Sequence, residues 1–298
     1  MVDVAAAYAS CAREAQTHYE NFPVASRLVP PRMRHHIAAV YAFARAADDF
    51  ADEGERTVEE RHRLLDGWLR RLRESAAGDG QAAGFPGEGE PSSTREIFIA
   101  LGATIREKNL PLALFEDLLS AFRQDVTVTR YASWGDLMDY CRRSANPVGR
   151  LVLRIAGYRD AQLDRWSDAI CSALQLTNFW QDLKIDFDRG RVYMPEAEMR
   201  AHGAARGELA AAALTPAWVR AVAAAVARTR ELLREGRPLC DALHGRLGYE
   251  LRATWLGGVR ILDRLEASGY DMIRRRPRLG AADAPWFAWR LLAWPFVR

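Results

Sequence analysis

Apolar side chains recur along most of this chain at steps of three and four residues, the spacing that lines up one face of an α-helix. Ile37, Val40, Tyr41 and Ala44 show it within one segment. No convincing series of alternating apolar and polar positions accompanies it, so the pattern predicts an almost wholly helical protein. One stretch interrupts the periodicity. SAAGDGQAAGFPGEGEPSST, between Ser75 and Thr94, is rich in Gly, Ser and Pro, has no face to bury, and predicts an exposed, mobile loop near 75–94. The periodic segments on its two sides look too short for independent cores, so a single domain over 1–298 is expected. No repeat of roughly 20 to 50 residues suggests a solenoid.

Two of the predicted helices end in acid. The first closes IAAVYAFARAADDFADEG, where Tyr41, Arg45, Asp48 and Asp52 follow at steps of four, three and four and share one face, with Asp49 beside them. The second closes CSALQLTNFWQDLKIDFDRG, where Gln175, Asn178, Asp182 and Asp186 lie near one face at steps of three, four and four. Each run ends in a glycine, Gly54 or Gly190, as a helix C-terminus should. The placement is unfavourable by itself: aspartate is a poor helix former, carboxylates four apart repel, and the negative end of the helix dipole adds to the cost. Positive charge should offset this, and Arg45 and Lys184 are the nearest candidates. Solvated helix ends would account for either cluster alone. Two copies of Asp-x-x-x-Asp, each after a long apolar stretch, point to a shared chemistry. Carboxylates and an amide oxygen are hard ligands suited to Mg²⁺, which keeps several waters and shares its coordination with substrate phosphates. The implied substrate is a diphosphate. Metal and the Arg45 guanidinium would stabilise the departing group while aromatic side chains accommodate a carbocation and water is largely excluded.

Composition narrows the setting. With 49% hydrophobic and 27% charged residues and a mean hydropathy of -0.24, the chain is of the soluble globular kind. No uncharged apolar run approaches the roughly 18 residues of a membrane span. MVDVAAAYASCAREAQ lacks the basic start and continuous apolar core of a signal peptide, so a cytoplasmic location is expected. A net charge of +3 is small for a nucleic-acid binder, and no such partner is expected. The 42 basic residues are nearly all arginine, with Lys108 and Lys184 the only lysines. Arginine suits bidentate contact with phosphate, though a compositional bias of the source genome also accounts for the excess. Cys11, Cys141, Cys171 and Cys240 lie far apart without a CxxC and read as packing residues.

YAFARAADDFADEG and QLTNFWQDLKIDFDRGRVYMP resemble the two aspartate-rich regions of the squalene and phytoene synthases, which join isoprenoid diphosphates head to head. The resemblance runs from about Tyr19 to about Arg278 and takes in YCRRSANPVGR, where that family has a kinked helix lining the substrate channel. In HYENFPVASRLVP, SANPVGRLVLR and NFWQD it is closest to the hydroxysqualene-forming branch of bacterial hopanoid biosynthesis. It implies an all-α, isoprenoid-synthase-like bundle around a central apolar channel, with the two clusters facing each other across its mouth. Asp48, Asp52, Asn178, Asp182 and Asp186 would be Mg²⁺ ligands and Arg45 would bind diphosphate. Phe22, Tyr41 and Tyr140 would line the cavity, and Gln175, His18 and Asn21 would contact substrate. The implied reaction converts presqualene diphosphate and water to hydroxysqualene and diphosphate. Members that condense two prenyl diphosphates commonly show Arg-Asp and Glu-Asp in the second region, where this chain has Gln181-Asp182 and Ile185-Asp186. That departure favours a substrate with one diphosphate. Condensation to presqualene diphosphate or phytoene is the alternative, and a non-catalytic prenyl-binding subunit is a further one, against which the intact aspartates count. Walker, Gly-x-Ser-x-Gly and dinucleotide motifs are absent, so NADPH is not expected.

Two other features stand apart. His35 and His36 follow Pro30, Pro31, Arg32 and Arg34 near a helix start and read as surface histidines. At the other end, Arg274, Arg275, Arg276 and Arg278 precede Trp286, Phe287, Trp289, Leu291, Leu292, Trp294 and Phe296. Arginine mixed with aromatics favours a membrane interface, so residues 281–298 are expected either to rest on a bilayer surface or to pack on the helical core. Arg275 and Arg276 have a competing role facing the diphosphate.

Overall fold

Helices make up nearly all the regular structure of the computed structural model, which describes residues 3–17, 28–78 and 84–296. Among the described residues there is no strand, only an isolated bridge between Arg130 and Val192. In chain order the helices are α1 (Val4–Thr17), α2 (Pro31–Asp52), α3 (Val58–Ala77), α4 (Thr94–Lys108), α5 (Leu112–Asp125), α6 (Trp134–Ser144), α7 (Asn146–Ala156) and α8 (Ala161–Gln181). They continue as α9 (Leu183–Asp188), α10 (Glu196–His202), α11 (Pro216–Gly236), α12 (Leu239–Ala242), α13 (Gly245–Ala267) and α14 (Ala284–Leu292). Local chemistry sets several boundaries. Pro31 and Pro216 open α2 and α11, where a missing N–H costs nothing. Thr57 with Glu60 and Ser133 with Asp136 form reciprocal caps at the starts of α3 and α6. Gly54 and Gly190, with φ of 75° and 86°, close the two acidic segments as expected.

The chain divides into two compact units: Met1–Thr127 with Pro147–Asp160, and Val128–Asn146 with Ala161–Arg298. In the first, α2 packs against α1, α3, α4 and α5. Its buried face inserts Phe43 among Trp68, Phe98 and Phe115, with ring centroids 5.6 to 6.1 Å apart. In the second, α8 packs against α6, α11 and α13. The α8–α11 approach is close enough that a Cβ at Gly236 would stand 2.7 Å from the Trp166 carbonyl oxygen. Trp180 is fully buried there, and its Nε1 donates to Thr229 Oγ1 at 2.8 Å.

Several expectations need correction. The second acidic segment is not one uninterrupted helix: it breaks at Asp182, between α8 and α9, although N–H groups of Asp182 and Asp186 still donate to carbonyls four residues back at 2.9 Å. The segment YCRRSANPVGR, by contrast, needs none: expected to be kinked, it breaks at Ala145, ahead of Pro147, which has no N–H to continue the ladder. Within the Gly-rich stretch, residues 84–93 are exposed for the most part but tied to α3, since Arg71 pairs with Glu90 at 2.9 Å and donates to the Phe85 carbonyl at 3.0 Å. His36 is not on the surface; it is fully buried. Cys11, Cys141 and Cys240 are buried as expected, and burial pushes each thiol up to about 12.

Candidate active site

The first unit carries its acidic cluster on the last turns of α2. Arg45 Nη2 lies 2.7 Å from Asp49 Oδ1 and 2.9 Å from Glu53 Oε1, and Nη1 lies 3.7 Å from Asp48 Oδ2. Burial opposes the arginine's charge, but Asp49, Asp48 and Glu53 outweigh it and hold the guanidinium pKa above its ordinary value. Arg45 is therefore a fixed cation among carboxylates. The tighter partner is Asp49 rather than Asp48, which stands on the half-exposed flank with Tyr41, while Asp52 is exposed. Two further arginines, missed at the sequence level, relieve the helix end. Arg56 donates to the carbonyl of Glu53 at 3.0 Å, and Arg61 donates to those of Phe50 at 3.0 Å and Gly54 at 2.8 Å. They place positive charge where the dipole is negative. A cleft of about 400 Å³ opens on the Asp49 and Glu53 flank, walled by Glu14, Phe50, Arg56 and Glu90.

The second unit holds Gln175 and Asn178, both half-buried, on α8, then Asp182 at the break and Asp186 on α9. Arg276 grips Asp182 with two prongs, Nε to Oδ1 and Nη2 to Oδ2, the latter at 2.9 Å. Asp182 therefore leaves its helix-capping role unused; its carboxylate belongs to the arginine. Gln181 Nε2 donates to the Pro277 carbonyl at 2.5 Å, so the same segment fastens two consecutive side chains. Lys184 does not offset Asp182: it pairs with Asp188, its neighbour one turn on. The compensating charge comes from far along the chain.

Tyr140 lies in a buried aromatic group that spacing alone did not expose. Phe179 and Tyr193 stack at 3.6 Å with planes 5° apart, and Tyr140 stands 6.2 Å from Phe179 and 5.5 Å from Tyr131. Tyr131 and Tyr193 come from non-periodic segments that carry no helical signal. His18, Asn21 and Phe22 lie outside the described residues.

A sequence model of the squalene/phytoene synthase family matches residues 15–283. The hydroxysqualene synthase of Rhodopseudomonas palustris is 36% identical over 266 residues, 87% of this chain and 84% of the relative. That of Zymomonas mobilis is 37% identical over 238 residues, covering 78% and 74%. Among solved structures, the squalene synthase HpnC of Alicyclobacillus acidocaldarius is similar with a TM-score of 0.80 at 38% identity, over 91% of this chain and 97% of the other. A dehydrosqualene synthase solved with a ligand has a TM-score of 0.83 at 20% identity over 98% of each chain, a likeness of fold that agrees with the expected all-α architecture.

Proposed function

The chain belongs to the squalene/phytoene synthase family, and from that premise we propose that it converts presqualene diphosphate and water to hydroxysqualene and diphosphate by a Mg²⁺-dependent ionisation. The observation that carries the reading is the pairing of each Asp-x-x-x-Asp set with one arginine, Arg45 or Arg276. The similarity to hydroxysqualene synthases supports it.

The donor set fits the metal. Asp48, Asp52, Asp182 and Asp186 offer carboxylate oxygens and Asn178 an amide oxygen, all hard donors at helix ends, with no imidazole or thiolate in either set. Mg²⁺ bound there would neutralise charge on the departing diphosphate. The chain's own residues do the rest. Arg45 keeps its charge at any working pH and would turn N–H groups from its carboxylate partners to diphosphate oxygens when substrate binds. In the second unit, Arg276 would release Asp182 and turn its N–H groups to a phosphate oxygen. As the C–O bond breaks, its electron pair leaves with diphosphate; the cyclopropylcarbinyl cation rearranges beside aromatic faces such as Tyr140 and Phe179, and water adds and loses a proton. Gln181, committed to the Pro277 carbonyl, brings no charge for a second diphosphate, and Ile185 is exposed and apolar. Both features favour a substrate with one diphosphate.

The reading includes a peripheral bilayer contact. Trp289, Leu292 and Phe296 are 67%, 82% and 85% exposed, while Trp294 is buried against Trp255 and donates to Asp241 Oδ1 at 2.7 Å. The tail thus packs through Trp294, and its exposed apolar side chains support the bilayer contact. Among the described residues no helix is long and apolar enough to cross a membrane.

The test is product analysis with presqualene diphosphate and farnesyl diphosphate offered separately in ¹⁸O-water with Mg²⁺. Labelled hydroxysqualene from the first and little turnover of the second are expected, with activity lost in EDTA and in Asp48→Ala and Asp182→Ala. Unlabelled alcohol, a hydrocarbon product, rapid condensation of farnesyl diphosphate, or full activity in EDTA overturns the reading.

A further inference from the structure

Near its start α2 meets the C-terminal end of α4 in a polar cluster that the proposed reaction does not use. The buried His36 has its Nδ1 3.0 Å from Thr104 Oγ1, which is itself 2.9 Å from the Tyr8 hydroxyl on α1. Its Nε2 points toward Glu107, 3.3 Å from Oε1, but makes no hydrogen bond. The His35 ring lies 3.9 Å from that of His36, and ligand atoms of His35, His36 and Glu107 all come within 4.8 Å of one another. Lys108 Nζ is 2.8 Å from the same Glu107 oxygen.

This arrangement has the parts of a metal site. The Thr104 hydroxyl holds Nδ1 and fixes the ring, and in the tautomer that donates from Nδ1 the Nε2 presents its lone pair, as in ligating histidines. That nitrogen and the Glu107 oxygen stand 3.3 Å apart, the spacing of two ligands on one ion. Burial, reinforced for His36 by the adjoining His35, holds both imidazoles below their ordinary pKa, that of His36 at about 4, so both are neutral and able to ligate at pH 7. Glu107 is exposed and His35 half-buried, which leaves a side open for water and for entry of an ion.

We propose that His35, His36 and Glu107 bind a transition-metal dication, zinc by ligand type, which clasps α2 to α4. Two imidazoles and one carboxylate with water in the fourth position suit zinc and do not suit Mg²⁺. Lys108 gives up Oε1 when the ion enters. At 1.5 Å per residue the cluster lies about 18 Å along α2 from Asp48, so the ion acts apart from the proposed reaction.

The test is equilibrium dialysis of the metal-stripped full chain against micromolar Zn²⁺ with Mg²⁺ in excess, followed by metal analysis. One zinc per chain is expected, lost in His35→Asn and in Glu107→Gln, positions chosen because neither is buried. With Co²⁺ the wild-type chain should show tetrahedral ligand-field absorption without a thiolate charge-transfer band. No retained zinc, zinc retained by either variant, or a thiolate band that puts the ion on a cysteine overturns the proposal.

Discussion

Replacing Arg276 with alanine probes the link between stability and chemistry at the second acidic segment. The guanidinium grips both oxygens of Asp182, and the two side chains are 29% and 13% exposed. An exposed ion pair contributes about 0–1 kcal/mol. Stripping one partner from a fully buried pair costs about 3–5 kcal/mol. A two-pronged pair at this depth falls between, so Arg276→Ala should destabilise the metal-free chain by about 2 kcal/mol. Asp182→Ala removes the same contact, so the two losses should not add, and a double-mutant cycle in urea should return a coupling of about 1–2 kcal/mol. Because Mg²⁺ and Arg276 compete for one carboxylate, the arginine variant should bind Mg²⁺ more tightly in the absence of substrate. It should nonetheless turn over more slowly. Losing one charge-assisted hydrogen bond to the leaving group, about 1.5–3 kcal/mol, corresponds to roughly a 10- to 150-fold fall in kcat. Additive losses would show that the two side chains do not act as a pair, and wild-type turnover would remove Arg276 from diphosphate binding.

Three further outcomes follow from packing and protonation. The unfolded chain takes up a proton at His36 near pH 6.5, whereas the folded chain refuses it until about pH 4, so stability should fall as pH drops through that window. The loss is at most about 3 kcal/mol, and His36→Asn should flatten it in a pH series of urea midpoints measured without zinc; an unchanged slope contradicts the buried neutral histidine. A Cβ at Gly236 would meet Ile170 Cγ1 at 2.4 Å, whereas at Gly257 the nearest atom is Leu279 Cδ1 at 3.5 Å. Thermal unfolding should therefore show a loss of about 1–3 kcal/mol for Gly236→Ala and none for Gly257→Ala. Trp294→Ala should cost about 3–5 kcal/mol, while Trp289→Ser with Leu292→Ser should leave stability within about 0.5 kcal/mol and remove binding to anionic vesicles.

Helices were legible because a three-to-four-residue period reports directly on which face is buried, as Ile37 and Val40 illustrate. The acidic clusters were legible for the same reason: their members are neighbours on one helix. What offsets their charge was not, because that depends on chain segments brought together by the fold. Lys184 looked like a partner of Asp182 from proximity in sequence, yet a lysine reaches the residue four positions on, and Asp188 stands there. The true partner is 94 residues away. His36 failed in the same way, since nothing local says that α1 and α4 will cover it.

The C-terminal arginine run shows how the fold divides a motif that the sequence presents as one. Membrane attraction and diphosphate binding competed for it, and a uniform basic patch would serve either. In the folded chain Arg274, Arg275 and Arg278 are exposed, whereas Arg276 is turned inward onto Asp182. The neighbouring Pro277 is buried and accepts from Gln181, which fixes the segment on α8 and sets which arginine faces in. The division separates exposed arginines ahead of α14 from the inward one, which sits at the carboxylate of Asp182. Gln181, where condensing relatives commonly carry arginine, is thus part of the fastening that delivers Arg276. An arginine at 181 would bring a charge to that fastening, whereas glutamine holds the carbonyl with a neutral N–H. The change that favours a substrate with one diphosphate and the geometry that positions its arginine are therefore the same feature of the chain.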